Sequence, residues 1–97
     1  MAKYILLFHF TSKGIEKIKE SPNRITDTKK IFEENGAKVE ALYALLGQYD
    51  TMCIAEAPND ETIAKISLKL SSLGNVRSET LRAFTEDEMV NIVGKIH

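Results

Sequence analysis

The stretch YILLFHFT, from Tyr4 to Thr11, is apolar on both sides of an extended chain. Side chains alternate across a strand, so Tyr4, Leu6, Phe8 and Phe10 share one face while Ile5, Leu7, His9 and Thr11 share the other. A strand of this kind needs cover above and below it. Any fold for this chain must therefore supply two covering layers.

After that strand the spacing becomes helical. Between Ser12 and Asn35, the residues Ile15, Ile18, Ile25 and Phe32, with Ile31 beside them, form an apolar stripe. Pro22 lies inside this segment, and a proline removes a helical hydrogen bond and clashes with the preceding turn. The sequence predicts a short first turn or two and a break over Glu20 to Pro22. Ser21 would be the N-cap and Pro22 the first helical residue of the main helix, which Asn35-Gly36 ends. A second strand spans Lys38 to Leu46 and a third spans Tyr49 to Ala57. Gly47-Gln48 between them fits a two-residue type II′ turn, with Leu46 opposite Tyr49, Leu45 opposite Asp50 and Tyr43 opposite Met52. A four-residue loop that takes in Tyr49 and Asp50 is the alternative. Asn59 opens a further helix with the stripe Ile63, Ile66, Leu70 and Leu73, stopped by Gly74. Val76 to Phe84 is a fourth strand. Thr85 to Glu88 is a capping box that starts a last helix, with Met89, Val90, Ile92, Val93 and Ile96 on its apolar side.

The order βαββαβ plus a C-terminal helix is the split βαβ, or ferredoxin-like, pattern of the α+β class. Strand order 4-1-3-2 gives a four-stranded sheet with antiparallel neighbours throughout, and the two long helices cover one face. The short last helix cannot cover the other. An open apolar sheet face of that size is unusual on a monomer. A second copy packed face to face would close it and make a dimeric α+β barrel with two-fold symmetry. The expected state is a homodimer or a higher homo-oligomer, with room between the sheets for a small-molecule ligand.

At 97 residues the chain is expected to form a single domain over residues 1–97. A domain of this length buries only roughly two thirds of the surface of its unfolded chain, so self-association would add needed burial. The formal net charge of -1 gives no long-range attraction for nucleic acid or an anionic membrane. Cys53 is the single cysteine, which excludes an internal disulfide and points to the cytoplasm. The start MAKYILLFHF is read as a buried strand: its apolar run is too short for a bilayer span, contains His9 and lacks a signal-peptidase site.

The strings GIEKIKESPNR, LLGQYDTMCIAEAPND and SLGNVRSETLRAFTEDEM resemble the GYD-domain family of small bacterial and archaeal proteins, from Tyr4 to about Met89. Gly47, Tyr49 and Asp50 match the letters of the family name. The resemblance implies a ferredoxin-like fold of the dimeric α+β barrel kind. It brings no reaction and no catalytic residue. Related barrels include cofactor-free monooxygenases, isomerase-like enzymes and ligand-sensing domains, so the fold does not settle whether the chain is an enzyme.

The chemistry-bearing residues each have two readings. Tyr49 and Asp50 either line a pocket rim or build the hairpin, with Asp50 accepting local backbone N–H bonds and Tyr49 packing over the strand end. His9 is either a proton carrier on the open face or a hydrogen-bonded interface residue. Arg77 and Glu79 share one face of the fourth strand and Arg82 takes the other; they hold a substrate carboxylate or form ion pairs. Glu56 shares a face with Asp50 if no bulge intervenes, which would allow paired-carboxylate chemistry. Tyr43 either hydrogen-bonds into the barrel or fills it, and Cys53 between Met52 and Ile54 is read as a buried structural thiol. No cofactor or metal is expected: the two His and one Cys have no zinc spacing, and no phosphate loop or nucleophile elbow is present. The third strand offers Met52, Cys53 and Ile54 where RNA-binding ferredoxin-like domains carry aromatics, so RNA binding is excluded as well.

Overall fold

Strand β1 (Ala2–Phe10) runs through the interior of a four-stranded antiparallel sheet in a computed structural model that describes residues Met1 to His97. On one side β1 pairs with β3 (Thr51–Ala57), which pairs in turn with β2 (Lys38–Ala44); on the other it pairs with β4 (Val76–Ala83). The order β2-β3-β1-β4 is the expected 4-1-3-2 read from the opposite edge. Helices α1 (Ser12–Glu16) and α2 (Ser21–Glu34) follow β1, α3 (Asp60–Ser72) follows β3, and α4 (Glu86–Val93) follows β4.

Tyr4, Leu6 and Phe8 on β1 and Cys53, Ala55 and Ala57 on β3 are buried. They pack with Phe32 of α2 and with Ile63, Ile66 and Leu70 of α3 into one continuous core. The alternate residues Ile5, Leu7, Met52 and Ile54 face the other way and stay half-exposed. The chain thus supplies one of the two layers that β1 requires. Burial pushes the Cys53 thiol up to about 12, so at neutral pH it is a protonated core group with no thiolate to react.

The helix starts show which local signals act. Asn59 accepts from Thr62 N–H at 2.9 Å, and Thr85 and Glu88 complete a reciprocal capping box. Gly36 and Gly74 take φ of 71° and 84°, the left-handed conformation that stops α2 and α3. The start of α2 differs from expectation. A 3-10 turn at Ile18–Glu20 runs directly into it, Glu20 occupies the cap position, and the Ser21 hydroxyl donates back to Ile18 O at 2.5 Å. Ser21 therefore closes the preceding turn instead of capping the next. Of the expected stripe, Ile15 and Ile18 before α2 are exposed while Phe32 within it is fully buried.

Thr11 anchors α1. Its hydroxyl accepts from Gly14 N–H and donates to Gly74 O at 2.6 Å, and its own N–H donates to Asn75 O at 3.0 Å. Gly14 then lies so close to the start of β4 that a Cβ there would sit 2.2 Å from Asn75 O.

Helix α4 stands apart from the core. Met89, Val90, Ile92 and Val93 are exposed, with Val90 at 61%, and none of its residues is buried. No helix is long and apolar enough to cross a membrane.

Candidate functional site

The open face of the sheet has an apolar middle and two polar ends, and the strand register sets that layout. Ala41, Ile54, Ile5 and Leu81 form one row across β2, β3, β1 and β4; Tyr43, Met52, Leu7 and Glu79 form the next. At one end, a register irregularity between Val39 and Ala41 displaces Glu40 from the ladder. Glu40 meets Lys3 in an ion pair of 3.0 Å, and this hydrogen bond holds the Glu40 carboxyl below its ordinary range. Glu56 lies at this same end, opposite both Lys3 and Lys38.

His9 and Arg77 face each other at the other end, one register step beyond Leu7 and Glu79 on the same face. Tyr49 reaches this end from the hairpin. Its ring lies against the His9 imidazole with centroids 4.7 Å apart, and its hydroxyl donates to Glu79 Oε2. Glu79 holds the phenolic proton, which raises the Tyr49 pKa above its ordinary value. A phenol, a carboxylate, an imidazole and a guanidinium are thereby gathered at one edge of an apolar surface. Together they can hold or pass a proton and offer charge of both signs.

Asp50 has a different task. Its carboxylate accepts from Phe10 N–H at 2.8 Å, its own N–H donates to Phe8 O at 2.8 Å, and its carbonyl accepts from Leu45 N–H at 2.9 Å. One residue thus joins β1, β3 and the strand end beyond β2. These bonds reach across the sheet rather than along the turn. The reason is length: β3 begins at Thr51 while β1 continues to Phe10, so the last β1 amide would have no ladder partner. The hairpin keeps the expected pairing of Leu45 with Asp50 and Tyr43 with Met52, but Leu46 to Tyr49 loop out, with Gly47 at φ 118°. The loop is four residues long and takes in Tyr49, as in the longer reading, while Asp50 stays paired with Leu45, as in the shorter one. Removing the carboxylate in an Asp50→Ala variant orphans a part-buried N–H and is expected to cost about 1–3 kcal/mol in denaturant unfolding. Asp50→Asn, which keeps an acceptor, should lose less.

The structure therefore gathers His9, Tyr49, Arg77 and Glu79, places Asp50 beside them as a strand clamp, and leaves Tyr43 exposed on β2. Glu56 lies at the far end of β3 from Asp50, so the two carboxylates do not form a pair. Arg82 points to the helix side, with its guanidinium over the Phe84 ring at 4.4 Å and 3.9 Å from Glu88. Sequence reasoning did not find the Lys3–Glu40 pair, because nothing local marks the bulge that brings them together. It also did not find a cleft of about 300 Å³ on the helix side of the sheet, assembled from β1, β2, α2, α3 and the starts of β3 and β4.

The topology and the one-sided core define an α+β domain of the ferredoxin-like pattern. Its residues 4–93 match the model of the GYD domain, and the chain belongs to that family. It is 34% identical over 91 residues to a Thermus thermophilus protein described as "Glutamine synthetase and cystathionine beta-lyase binding protein", an alignment covering 93% of this chain and 96% of that one. Among solved structures it is similar to TTHA0845, also from Thermus thermophilus, with a TM-score of 0.57 and 23% identity over 88% of this chain and 95% of the other. It is also similar to part of a homoserine dehydrogenase from Thiobacillus denitrificans, with a TM-score of 0.56 and 16% identity over 84% of this chain and 17% of the enzyme. At these identities the two structures share the fold.

Proposed function

We propose that this chain is a non-catalytic binding protein, a homodimer that docks onto another protein. The observation that carries this reading is its pair of uncovered apolar surfaces, the open sheet face and the outward side of α4. The sheet face has the row of Ile54, Ile5 and Leu81 between polar ends, which suits packing against a second copy of itself. Helix α4 then remains for a partner, since an amphipathic helix with spaced Met89, Ile92 and Val93 is suited to lie in an apolar groove. The Thermus relative supports the partner class: enzymes of amino-acid metabolism, with glutamine synthetase first to try. Mixing the chain with glutamine synthetase from its own source should give a complex in size-exclusion chromatography with light scattering. An Ile92→Glu variant should lose that complex while remaining a dimer. Absence of a complex with glutamine synthetase and with cystathionine β-lyase would overturn the assignment.

A second reading rests on the gathering of His9, Tyr49, Glu79 and Arg77 at one end of the open face. In it, the paired sheets enclose a small organic molecule, and His9 accepts or delivers a proton in cofactor-free proton transfer or oxygenation. A His9→Ala variant is then expected to lose binding or turnover of that molecule by tenfold or more. Unchanged binding and turnover would remove the reading.

A further inference from the structure

The cleft on the helix side is separate from the open face and from α4. Its inner wall is apolar, with Phe8 and Leu70 buried and Leu42 and Val76 half-buried around them. Its outer edge is polar, with Arg24 and Asp27 from α2, Thr51 from β3 and Asn75 before β4. At about 300 Å³ it lies at the small end of ligand-binding cavities.

The charged groups of that edge are set in a particular way. The Arg24 guanidinium is fixed by two backbone carbonyls, Gly14 O at 3.2 Å and Lys17 O at 3.3 Å, and its carbon lies 5.8 Å from the Phe10 ring centre. A guanidinium has five N–H groups, so donors remain beyond those two contacts. The Asp27 carboxylate lies one helical turn on and is solvent-exposed. The ion pairs of the chain are Lys3–Glu40 and Arg82–Glu88, so Arg24 and Asp27 do not neutralise each other. A fixed cation and a free carboxylate therefore border one apolar cavity.

We infer that this cleft is a binding site for a free α-amino acid with an apolar side chain, such as leucine. The side chain of the amino acid enters between Phe8, Leu42, Leu70 and Val76. Its carboxylate meets Arg24, and its ammonium group meets Asp27. The complementarity is of charge and polarity together: a zwitterion matches the edge, and a small aliphatic group matches the interior. One of the two carbonyls that hold Arg24, Gly14 O, belongs to α1, so undocking α1 from Asn75 would loosen the cation.

Calorimetric titration of the intact chain with L-leucine, followed by the amide resonances of the labelled protein, tests the site without reference to dimerisation or to a protein partner. Saturable binding is expected, with shifts at Phe8, Leu42 and Val76. Leucinamide lacks the carboxylate, N-acetyl-leucine lacks the ammonium group, and glycine lacks the side chain; each should bind at least tenfold more weakly. Asp27→Asn replaces an exposed side chain that the fold does not use, and it should also weaken leucine at least tenfold. Three results would overturn the inference: no saturation up to roughly 10 mM leucine, binding of all three analogues as tight as that of leucine, or shifts confined to the open sheet face. Chemical shifts at the cleft that follow protein concentration instead of leucine would do so too, since they would mean that another copy fills it.

Discussion

Replacing Ile5 by Glu is expected to convert the proposed face-to-face dimer into a folded monomer. Ile5 sits on β1 with Ile54 on one side and Leu81 on the other, at the centre of the open apolar row. In a single chain the new carboxylate faces water, because nothing covers this face, so the core beneath it is undisturbed. In a face-to-face dimer it would be buried without a partner, once from each copy. The effective penalty is several kcal/mol per buried ion, so dimer affinity should fall by roughly a thousandfold or more. Sedimentation equilibrium reads the change in mass, and circular dichroism with thermal melting verifies that the monomer is folded. A variant that stays dimeric would mean that the sheet face is not the interface, and would leave α4 as the surface to test next.

Gly14→Ala should be the most damaging single-methyl change in the chain. The added Cβ would fall 2.2 Å from Asn75 O, a backbone atom that already accepts the Thr11 N–H. Neither side can yield alone. Moving Asn75 breaks the link between Thr11 and the entry to β4, and moving α1 breaks the Thr11 cap and the Gly14 carbonyl contact with Arg24. Overpacking of a well-fitted contact costs about 1–3 kcal/mol, and a clash with fixed backbone belongs at or above the upper end. The expected result is a drop in unfolding free energy of about 3 kcal/mol in urea, with little change in m-value. A loss below about 0.5 kcal/mol would show that α1 detaches at almost no cost, which would also loosen Arg24.

The GYD residues illustrate how sequence and structure divide the explanation. Gly47 is accounted for locally, by its positive φ in the hairpin. Asp50 is equally structural, but its carboxylate serves an amide 40 positions away, so turn chemistry alone predicts the residue type and the wrong partner. Tyr49 is understood only when β4 is present, because its hydroxyl bond is to Glu79 and its ring contact is with His9. Together, Asp50 ties the hairpin to β1 and Tyr49 ties it to β4, and both bonds lie at the end of the sheet where the chemistry-bearing groups collect.

Element order, strand alternation and the helix caps were legible from residue types because each depends on neighbours within a few positions. The two-sided apolar pattern of β1 led directly to a sheet with one face in need of cover, and the Thr85–Glu88 capping box and the Asn59 cap stand where their spacing puts them. The Lys3–Glu40 pair, the Asp50 clamp, the Tyr49–Glu79 bond and the helix-side cleft were not legible in this way. Each joins residues brought together by strand register, by a bulge, or by how far one strand outlasts the next. Those are properties of the packed sheet, where a shift of one residue exchanges the two faces, and no local preference of the chain specifies them.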